Sequence, residues 1–271
     1  MKVASAPNRR VFLKLGAIGA AAALFRPPTL AVAFPRIAST LPLPVPHEYF
    51  GDPETMLACS LARFDLLLAP AYIAAELIRH GRLQAAPGDA GRAHDPEGVF
   101  TIPYRYQIGV LRFLADGAPA GEASWSELWR ADGRVRWSGG SRLAIGAALL
   151  SRGHSPNDTH AGHLAQAGND LARLQFAPRT SARLSIELVD AAAASQARLP
   201  VEGVPVIEYD WLIPAEGNAA LARSYVQSLG RPADVPKLAG VRLIPLMPLP
   251  ERARRQHADI WAAHVQAVQA A

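Results

Sequence analysis

A short apolar run, FDLLLAP at residues 64–70, leads directly into a segment of helical spacing that ends at Gly81. The run is shorter than a typical helix and a proline stops it, which is the pattern of a buried strand. Glycine often follows the last turn of a helix, because it adopts the left-handed backbone conformation without steric cost. A strand that passes at once into a helix predicts an α/β fold.

Strand-like and helical segments alternate along the rest of the chain, without an internal repeat. Strands are predicted at residues 99–103, 108–113, 135–137, 184–189 and 204–211. Helices are predicted at residues 53–62, 125–130, 141–152, 160–174, 218–229 and 257–268. The helix at 125–130 begins with Ser124 and Glu127 at the spacing of a capping box, in which each side chain binds a free backbone N–H group.

Composition narrows the class of protein. Half of the 271 residues are apolar, which is too many for a disordered chain, and a single cysteine excludes an intrachain disulfide and a zinc site built from cysteines. The 28 lysines and arginines exceed the 23 acids, but five of these bases and no acid precede residue 34. The remainder is balanced in charge, so we expect no nucleic-acid partner.

The first 33 residues have the form of an export signal. NRRVFLK at residues 8–14 matches a twin-arginine motif, an apolar run follows at residues 15–25, and AVA at residues 31–33 fits a cleavage site. The apolar run falls far below the roughly 20 residues that span a bilayer, which argues against a membrane anchor. We predict a removed signal at residues 1–33, export to the periplasm by the twin-arginine route, and a proline-rich extended linker at residues 34–50.

A series of motifs then follows in a recognisable order. These are FDLLLAPAY at 64–72, LIRHGRLQ at 77–84, TIPYRY at 101–106, SWSELW at 124–129, RGHSPN at 152–157 and DWLIP at 210–214. In order and approximate spacing, the chain resembles the spermidine/putrescine-type periplasmic solute-binding proteins of ABC transporters. SWSELW together with IPY is the most specific part of this resemblance, and the other motifs gain weight from their order.

The resemblance implies an α/β protein of the type II periplasmic-binding-protein class, with two lobes and a cleft between them. Residues 51–271 would form this solute-binding domain, with crossings between the lobes near 110–120 and 204–216. The expected function is binding of a small solute and its delivery to an ABC permease in the membrane, by a monomer that is not an enzyme. The first lobe looks truncated, because the linker runs almost directly into the helix at 53–62.

Ligand-binding candidates follow from the matched segments. Family ligands are polyamines, and ammonium groups need carboxylates and aromatic faces. The candidates in or near strand ends are Tyr72, Tyr104, Arg105, Tyr106, Asp190, Glu208, Asp210 and Trp211. Each has a second interpretation: an aromatic beside a strand end also suits core packing, and an acid also suits a solvated strand face. Since side chains alternate along a strand, a shift of one residue would turn Glu208 or Asp210 away from the cleft.

A glycine-rich segment replaces the acids that the family places after the strand at 135–137. It consists of Ser138, Gly139, Gly140 and Ser141, at the predicted start of the helix at 141–152. Free N–H groups and the positive end of the helix dipole favour an anion there, and Arg142 would suit the same ligand. We therefore predict a ligand that carries a carboxylate, phosphate or sulfonate. The other interpretation is an ordinary glycine-rich turn with a solvated arginine.

Three histidines, His154, His160 and His163, fall within ten residues. Zinc sites use such spacings, but a solvated turn and helix start is favoured here, and we expect no metal and no cofactor. The chain contains no nucleophile elbow, phosphate-binding loop or dinucleotide-binding fingerprint, and no catalytic residue is predicted. Two alternatives to a transport receptor stay open: a degenerate binding-protein fold that binds a partner protein or serves as a structural module, and an enzyme exported with a metal or cofactor.

Overall fold

The computed structural model describes residues 30–35, 47–50, 52–86, 91–113, 122–130, 134–138, 140–176, 182–190, 198–229, 238 and 240–270. The strands are β1 (Val32–Pro35), β2 (His47–Phe50), β3 (Leu66–Pro70), β4 (Thr101–Phe113), β5 (Arg134–Ser138), β6 (Gln175–Phe176), β7 (Leu184–Asp190), β8 (Val204–Leu212) and β9 (Leu243–Pro245). The helices are α1 (Thr55–Ala58), α2 (Ala71–Arg79), α3 (Ser141–Ser151), α4 (Ala161–Leu171), α5 (Ala219–Ser228) and α6 (Glu251–Ala270), with a 3-10 helix at Trp125–Trp129.

The strands form one mixed sheet in the order β2-β1-β3-β8-β4-β7-β5-β6, with β9 paired to β8. β1 is parallel to β2 and β3, and β5 is parallel to β6 and β7. β4 and β8 are antiparallel to each other, and each is antiparallel to its outer neighbour, β7 or β3. These two long strands therefore join two parallel halves of the sheet. The predicted α/β class is confirmed.

Two large hydrophobic cores pack on this sheet. The first core is built by β3, α2, α5 and the end of β8, and Leu67 and Trp211 are fully buried in it. The second core is built by α3, α4, β5, β7 and the start of α6, and Leu149 and Leu184 are fully buried in it. Full burial of one such aliphatic side chain contributes about 1.5–3 kcal/mol. Apolar packing is thus the main stabilising interaction in both halves.

Helix α3 is buried on all sides, from Ser141 to Leu150. An apolar surface all round the helix suits its position against α4, α6 and the 3-10 helix. Gly146 allows a close approach, because a Cβ atom at this position would lie 3.1 Å from the Cβ atom of Pro156. The helix is followed by Gly153 in the left-handed region, with φ of 77°. This packing holds the first turn of α3 firmly at the boundary between the two cores.

Strand β4 corrects one prediction. Two separate strands were expected at 99–103 and 108–113, but β4 is a single strand of 13 residues that runs through Pro103. The pairing with β8 shifts in register between Pro103 and Arg105. A bulge is one of the few places where a sheet accepts proline, which has no N–H group to donate. The irregularity hides the continuous strand in the sequence.

The amino-terminal part also differs from its prediction. Residues 34–50 were expected to form a linker, but β1 and β2 occupy the two ends of this range. Val32 and Ala33 are buried in the first core and pair with Leu66 and Leu67. Strands of four residues are too short to show a clear alternation of apolar and polar side chains. Residues 1–29 and 36–46, with most of the predicted signal, lie outside the described residues.

Among the described helices, none is long and apolar enough to cross a membrane.

The capping box at the 3-10 helix is confirmed: the Ser124 backbone N–H group donates to the Glu127 carboxylate, and the Ser124 side chain accepts from backbone N–H groups of the first turn. Helix α6 is longer than the predicted helix at 257–268 and begins six residues earlier, at Glu251. The early start brings this helix over the boundary between the two cores.

Candidate functional site

A cavity of about 720 Å³ lies between the two cores, beneath α6. One wall comes from the segment at 52–58, which belongs to the first core, and another comes from Ser141 at the start of α3. Helix α6 supplies the remaining wall, including His257 and Trp261. This volume suits a small organic ligand.

Five polar or charged side chains line this cavity or lie directly behind the residues that line it. They are Glu54, Tyr72, Ser141, Arg142 and His257, and we call them the cleft cluster. They come from three separate parts of the chain: the segment before α1 together with α2, the first turn of α3, and α6. Of the predicted site residues, Tyr72 lies against the Arg142 guanidinium, and Ser141 directly precedes Arg142 in the first turn of α3 and lines the cavity.

Arg142 is the cation of the cleft cluster and is only 3% exposed. Its Nη2 atom donates to the Asn157 side-chain oxygen and to the Met247 carbonyl, both at 3.0 Å, and its Cζ atom lies 5.1 Å from the centre of the Tyr72 ring. Its Nε atom has no hydrogen-bond partner among the described residues. Burial lowers the pKa of Arg142 from its ordinary value, and the nearby Tyr72 and Glu54 oppose this shift. The guanidinium is thus buried and incompletely bonded.

Glu54 is the acid that approaches Arg142 from the first core. Shielding from water, followed by a hydrogen bond and charge repulsion with Asp52, raises the pKa of the Glu54 carboxyl well above its ordinary value. The positive charge of Arg142 opposes this shift. The Oε2 atom is buried and has no hydrogen-bond partner among the described residues. Glu54 therefore holds a proton more readily than an exposed glutamate does.

His257 is 3% exposed and closes the cluster from α6. Neither ring nitrogen has a hydrogen-bond partner within the described part of the chain. Burial, assisted by the charge of Arg142, lowers the pKa of His257 to about 3. The imidazole is therefore neutral at neutral pH, with one donor and one acceptor left for another molecule.

A second polar cluster lies on the central strands β4 and β8 and on the segment at 92–95, and we call it the salt-bridge network. Asp210 is fully buried, its Oδ2 atom lies 2.8 Å from His94 Nε2, and its Oδ1 atom lies 3.7 Å from Arg92 Nε. Arg92 also bonds to Tyr106 and lies 3.5 Å from Glu208. Each charged side chain of this network lies near another of its members, although Arg92 Nε and Asp210 Oδ1 form no hydrogen bond. The network joins the segment at 92–95 to β8.

Of the remaining predicted site residues that the structure describes, none lines the cavity. Tyr104 packs against Trp211 at 5.2 Å between ring centres, and Trp211 is fully buried in the first core. Arg105 forms an ion pair with Asp190. Gly140 precedes the first residue of α3, Ser138 ends β5 in register with Glu187, and Gly139 lies outside the described residues. Glu208 and Asp210 thus face the salt-bridge network, whereas the intervening Tyr209 faces the first core.

Glu54, His257 and Tyr209 were not among the site residues predicted from the sequence. The Tyr209 side chain is fully buried, and its hydroxyl has no hydrogen-bond partner among the described residues. Burial raises the pKa of Tyr209. The charge of Arg105 opposes this shift, whereas the charges of Asp190 and Glu54 add to it. The alternation along β8 was the available signal: Tyr209 lies between two acids that share the opposite face.

Comparison with known proteins bears on the fold. No family model matches the chain, and no curated protein matches it by sequence. A Listeria monocytogenes protein assigned to spermidine/putrescine ABC transport superposes with a TM-score of 0.66 and 14% identity, over 88% of this chain and 99% of that chain. The Tp0655 (TpPotD) lipoprotein of Treponema pallidum gives 0.60 and 15%, over 87% and 98%. A periplasmic thiamin-binding protein gives 0.58 and 13%, over 89% and 96%.

Each superposition covers nearly the whole of the solved chain. The similar structures are binding proteins and not enzymes. Identities near 14% carry the fold but neither the ligand nor the transport role. The predicted resemblance to polyamine-type binding proteins is confirmed at the level of structure. This chain has the α/β fold of the type II periplasmic solute-binding proteins.

Proposed function

We propose that this chain is an exported solute receptor that binds a small molecule in the cavity between its two cores and delivers it to an ABC permease. The observation that carries the proposal is the cleft cluster, in which Glu54, Arg142 and His257 each keep a buried polar atom without a partner. An unpaired buried polar group costs about 1–3 kcal/mol, and a ligand that supplies the missing hydrogen bond removes this cost. The shared fold of solute-binding proteins supports the same function.

We propose that each core is the centre of one lobe, with β4 and β8 as the connections between lobes. A ligand that contacts both walls of the cavity then favours the closed arrangement. The receptor is proposed to act as a monomer without catalytic activity. Size-exclusion chromatography with light scattering tests the monomer, and small-angle scattering with and without ligand tests closure. An unchanged radius of gyration in the presence of bound ligand would contradict closure.

The ligand is proposed to carry an acidic group held by Ser141 and Arg142. Free N–H groups at the start of α3 and the buried guanidinium both favour an anion. Arg254 and Arg255 line the cavity on the side of α6, while Asp52 and Glu54 line the opposite side. Since both signs of charge are present, a zwitterionic solute fits this wall better than a polyamine, whose ammonium groups would lie near three arginines.

A thermal-shift screen followed by calorimetric titration tests this ligand class with amino acids, organic acids, phosphate esters and polyamines. We expect an acidic or zwitterionic solute to raise the melting temperature, since binding to the folded state stabilises it by mass action. Arg142→Met should abolish the response, and the exposed Arg173→Met should leave it intact. Micromolar binding of spermidine or putrescine that survives Arg142→Met would overturn the anion proposal.

Export by the twin-arginine route is proposed from the leader, with periplasmic localisation. Val32 and Ala33 are buried and paired with β3, which favours a processing point upstream of Leu30 over the predicted one after Ala33. Intact mass of the exported protein locates this point. Replacement of both Arg9 and Arg10 by lysine should stop periplasmic accumulation, and undiminished accumulation would remove the route.

One observation favours a second function, a partner-binding or structural module. Arg254 of α6 lies 3.1 Å from the buried Glu76 of α2, so a helix packed on the second core is also tied to the first core. This ion pair opposes relative movement of the two halves. If no solute in the screen shifts the melting temperature, either before or after Arg254→Met releases this contact, the module becomes the better interpretation.

A further inference from the structure

His154 and Asp158, in the connection between α3 and α4, lie close to His163 in the first turn of α4. Each offers one ligand atom, and these atoms all lie within 4.8 Å of one another. The two imidazole rings stack, with their centres 3.8 Å apart and an angle of 11° between their planes. His163 Nδ1 lies 2.8 Å from the Asp158 Oδ2 atom. All three residues are half-buried, so an ion from solution can reach them.

The connection that carries His154 and Asp158 is held in place by hydrogen bonds to α3 and to the segment at 245–247. The Asn157 oxygen accepts from the Met247 backbone N–H group at 2.8 Å and from Arg142, and the Asn157 amide donates to the Pro245 carbonyl at 2.8 Å. The second oxygen of Asp158 accepts from the His160 backbone N–H group at 2.7 Å. Hydrogen bonds of this kind orient a carboxylate before any ion binds, which strengthens metal sites.

We propose that His154, Asp158 and His163 bind one divalent transition-metal ion of the Zn²⁺ class. Two imidazoles and one carboxylate match the preference of Zn²⁺, Ni²⁺ and Cu²⁺ over Mg²⁺ and Ca²⁺, which prefer oxygen ligands alone. The ion takes the place of the proton shared between His163 and Asp158. Metal–ligand bonds of about 2.0–2.2 Å need the two atoms to separate only slightly from 2.8 Å, and water completes the coordination.

The site is separate from the proposed solute cavity, because none of its three residues lines that cavity. It reverses the expectation of a solvated turn without a metal. The proposed ligands are four and five residues apart in the sequence. This spacing does not predict a metal site, because His154 precedes the helix that carries His163 and the two do not share a helix face. The left-handed turn at Gly153 and the backbone around Asn157 bring the three together.

Calorimetric titration of the purified protein with ZnCl₂, after removal of any histidine tag, tests the site. We expect one ion per chain, no response to MgCl₂, and a loss of affinity of at least about tenfold in His154→Ala and in His163→Ala. The exposed His80→Ala is the matched control and should bind as the unchanged protein does. Circular dichroism of each variant without metal establishes that it is folded.

Three results would overturn the proposal: absence of Zn²⁺ binding by the unchanged protein, full binding by the double variant His154→Ala/His163→Ala, or an equal loss of affinity in His80→Ala. The neighbouring His160 gives a further discrimination. Its ring centre is 4.4 Å from that of His163, but it is not one of the three ligands, so His160→Ala should weaken binding less than His163→Ala does. The reverse order would replace the proposed ligand set.

Discussion

The cleft cluster and the salt-bridge network are both buried and charged, but they differ in how their charges are paired. In the network, Asp210 has His94 on one carboxylate oxygen and Arg92 near the other. In the cleft cluster, Glu54, Arg142 and His257 keep polar atoms without a partner among the described residues. Protein folding tolerates buried charge when it is paired, so the network has the form of a structural element. The cleft cluster lacks this pairing.

The cleft cluster is therefore the better candidate for function of the two groups. Both groups contain acids, bases and a tyrosine, and the sequence predicted more site residues in or around the network than in the cleft cluster. In the network the two atoms without a hydrogen bond, Arg92 Nε and Asp210 Oδ1, lie 3.7 Å from each other. In the cleft cluster, Glu54 and His257 line a cavity, so their unbonded atoms leave capacity for a ligand. The comparison makes definite predictions about stability, because paired and unpaired groups respond in opposite ways to substitution.

The largest effect is expected from breaking the network. Asp210→Ala removes the acid that His94 contacts and one of the two acids near Arg92, and we expect a loss of about 3–5 kcal/mol in the free energy of unfolding. Urea denaturation at pH 7 measures it. Glu48→Ala, which breaks an exposed pair with Arg63, should cost less than about 1 kcal/mol. Equal losses in both variants would show that the network contributes no more than a surface pair.

An intermediate effect of opposite sign is expected in the cleft cluster. His257 has a pKa of about 3 in the folded protein, below its ordinary value of 6.5. Between these two values of pH, the unfolded chain therefore binds a proton at His257 and the folded chain does not. Stability should therefore fall as the pH drops from 6.5 towards 3, by about 2 kcal/mol at pH 5. His257→Leu should remove this loss and raise stability at pH 7 by about 1 kcal/mol.

Urea denaturation of the unchanged protein, His257→Leu and the exposed His80→Leu at pH 7, 6 and 5 makes the measurement. The His80 variant should keep the acid-induced loss. A His257→Leu variant that is strongly destabilised at pH 7 would make the cleft cluster a structural element of the same kind as the network, and the comparison would fail.

The smallest effect is expected at Glu54. Its raised pKa means that the folded chain holds a proton that the unfolded chain releases above about pH 4.5. Stability contributed by this group is complete below that pH and is lost as the pH rises through the folded-state pKa. Glu54→Gln should therefore be more stable than the unchanged protein at pH 8 and nearly equal to it at pH 4.

Differences in melting temperature at the two pH values test this prediction, with the exposed Glu48→Gln as control. A constant difference across the pH range would mean that ionisation of Glu54 is not its source. The same result would weaken the proposal that a ligand supplies a hydrogen bond to Glu54, since an acid that ionises freely does not lack a hydrogen-bond partner.

Local signals in the sequence determined several elements well. The apolar run before Pro70 and the helix before Gly81 became β3 and α2, because short-range periodicity and a glycine stop act within a few residues. Ser124 and Glu127 formed the predicted capping box for the same reason. The motif order was sufficient to predict the fold of the type II binding proteins, which the similar structures confirm.

Only the tertiary structure decided which polar residues are unpaired. Whether Glu54 or Asp210 finds a partner depends on residues far along the chain: Arg142 is 88 positions from Glu54, and His94 is 116 positions from Asp210. No local pattern encodes such distances. The same holds for His257, which is buried because α6 begins early enough to lie over the cavity. Alternation along a strand fixes that Glu208 and Asp210 share a face, but the packing of whole elements decides what that face meets. The fold class and the local caps can thus be predicted from short-range patterns, whereas the candidate site depends on long-range packing.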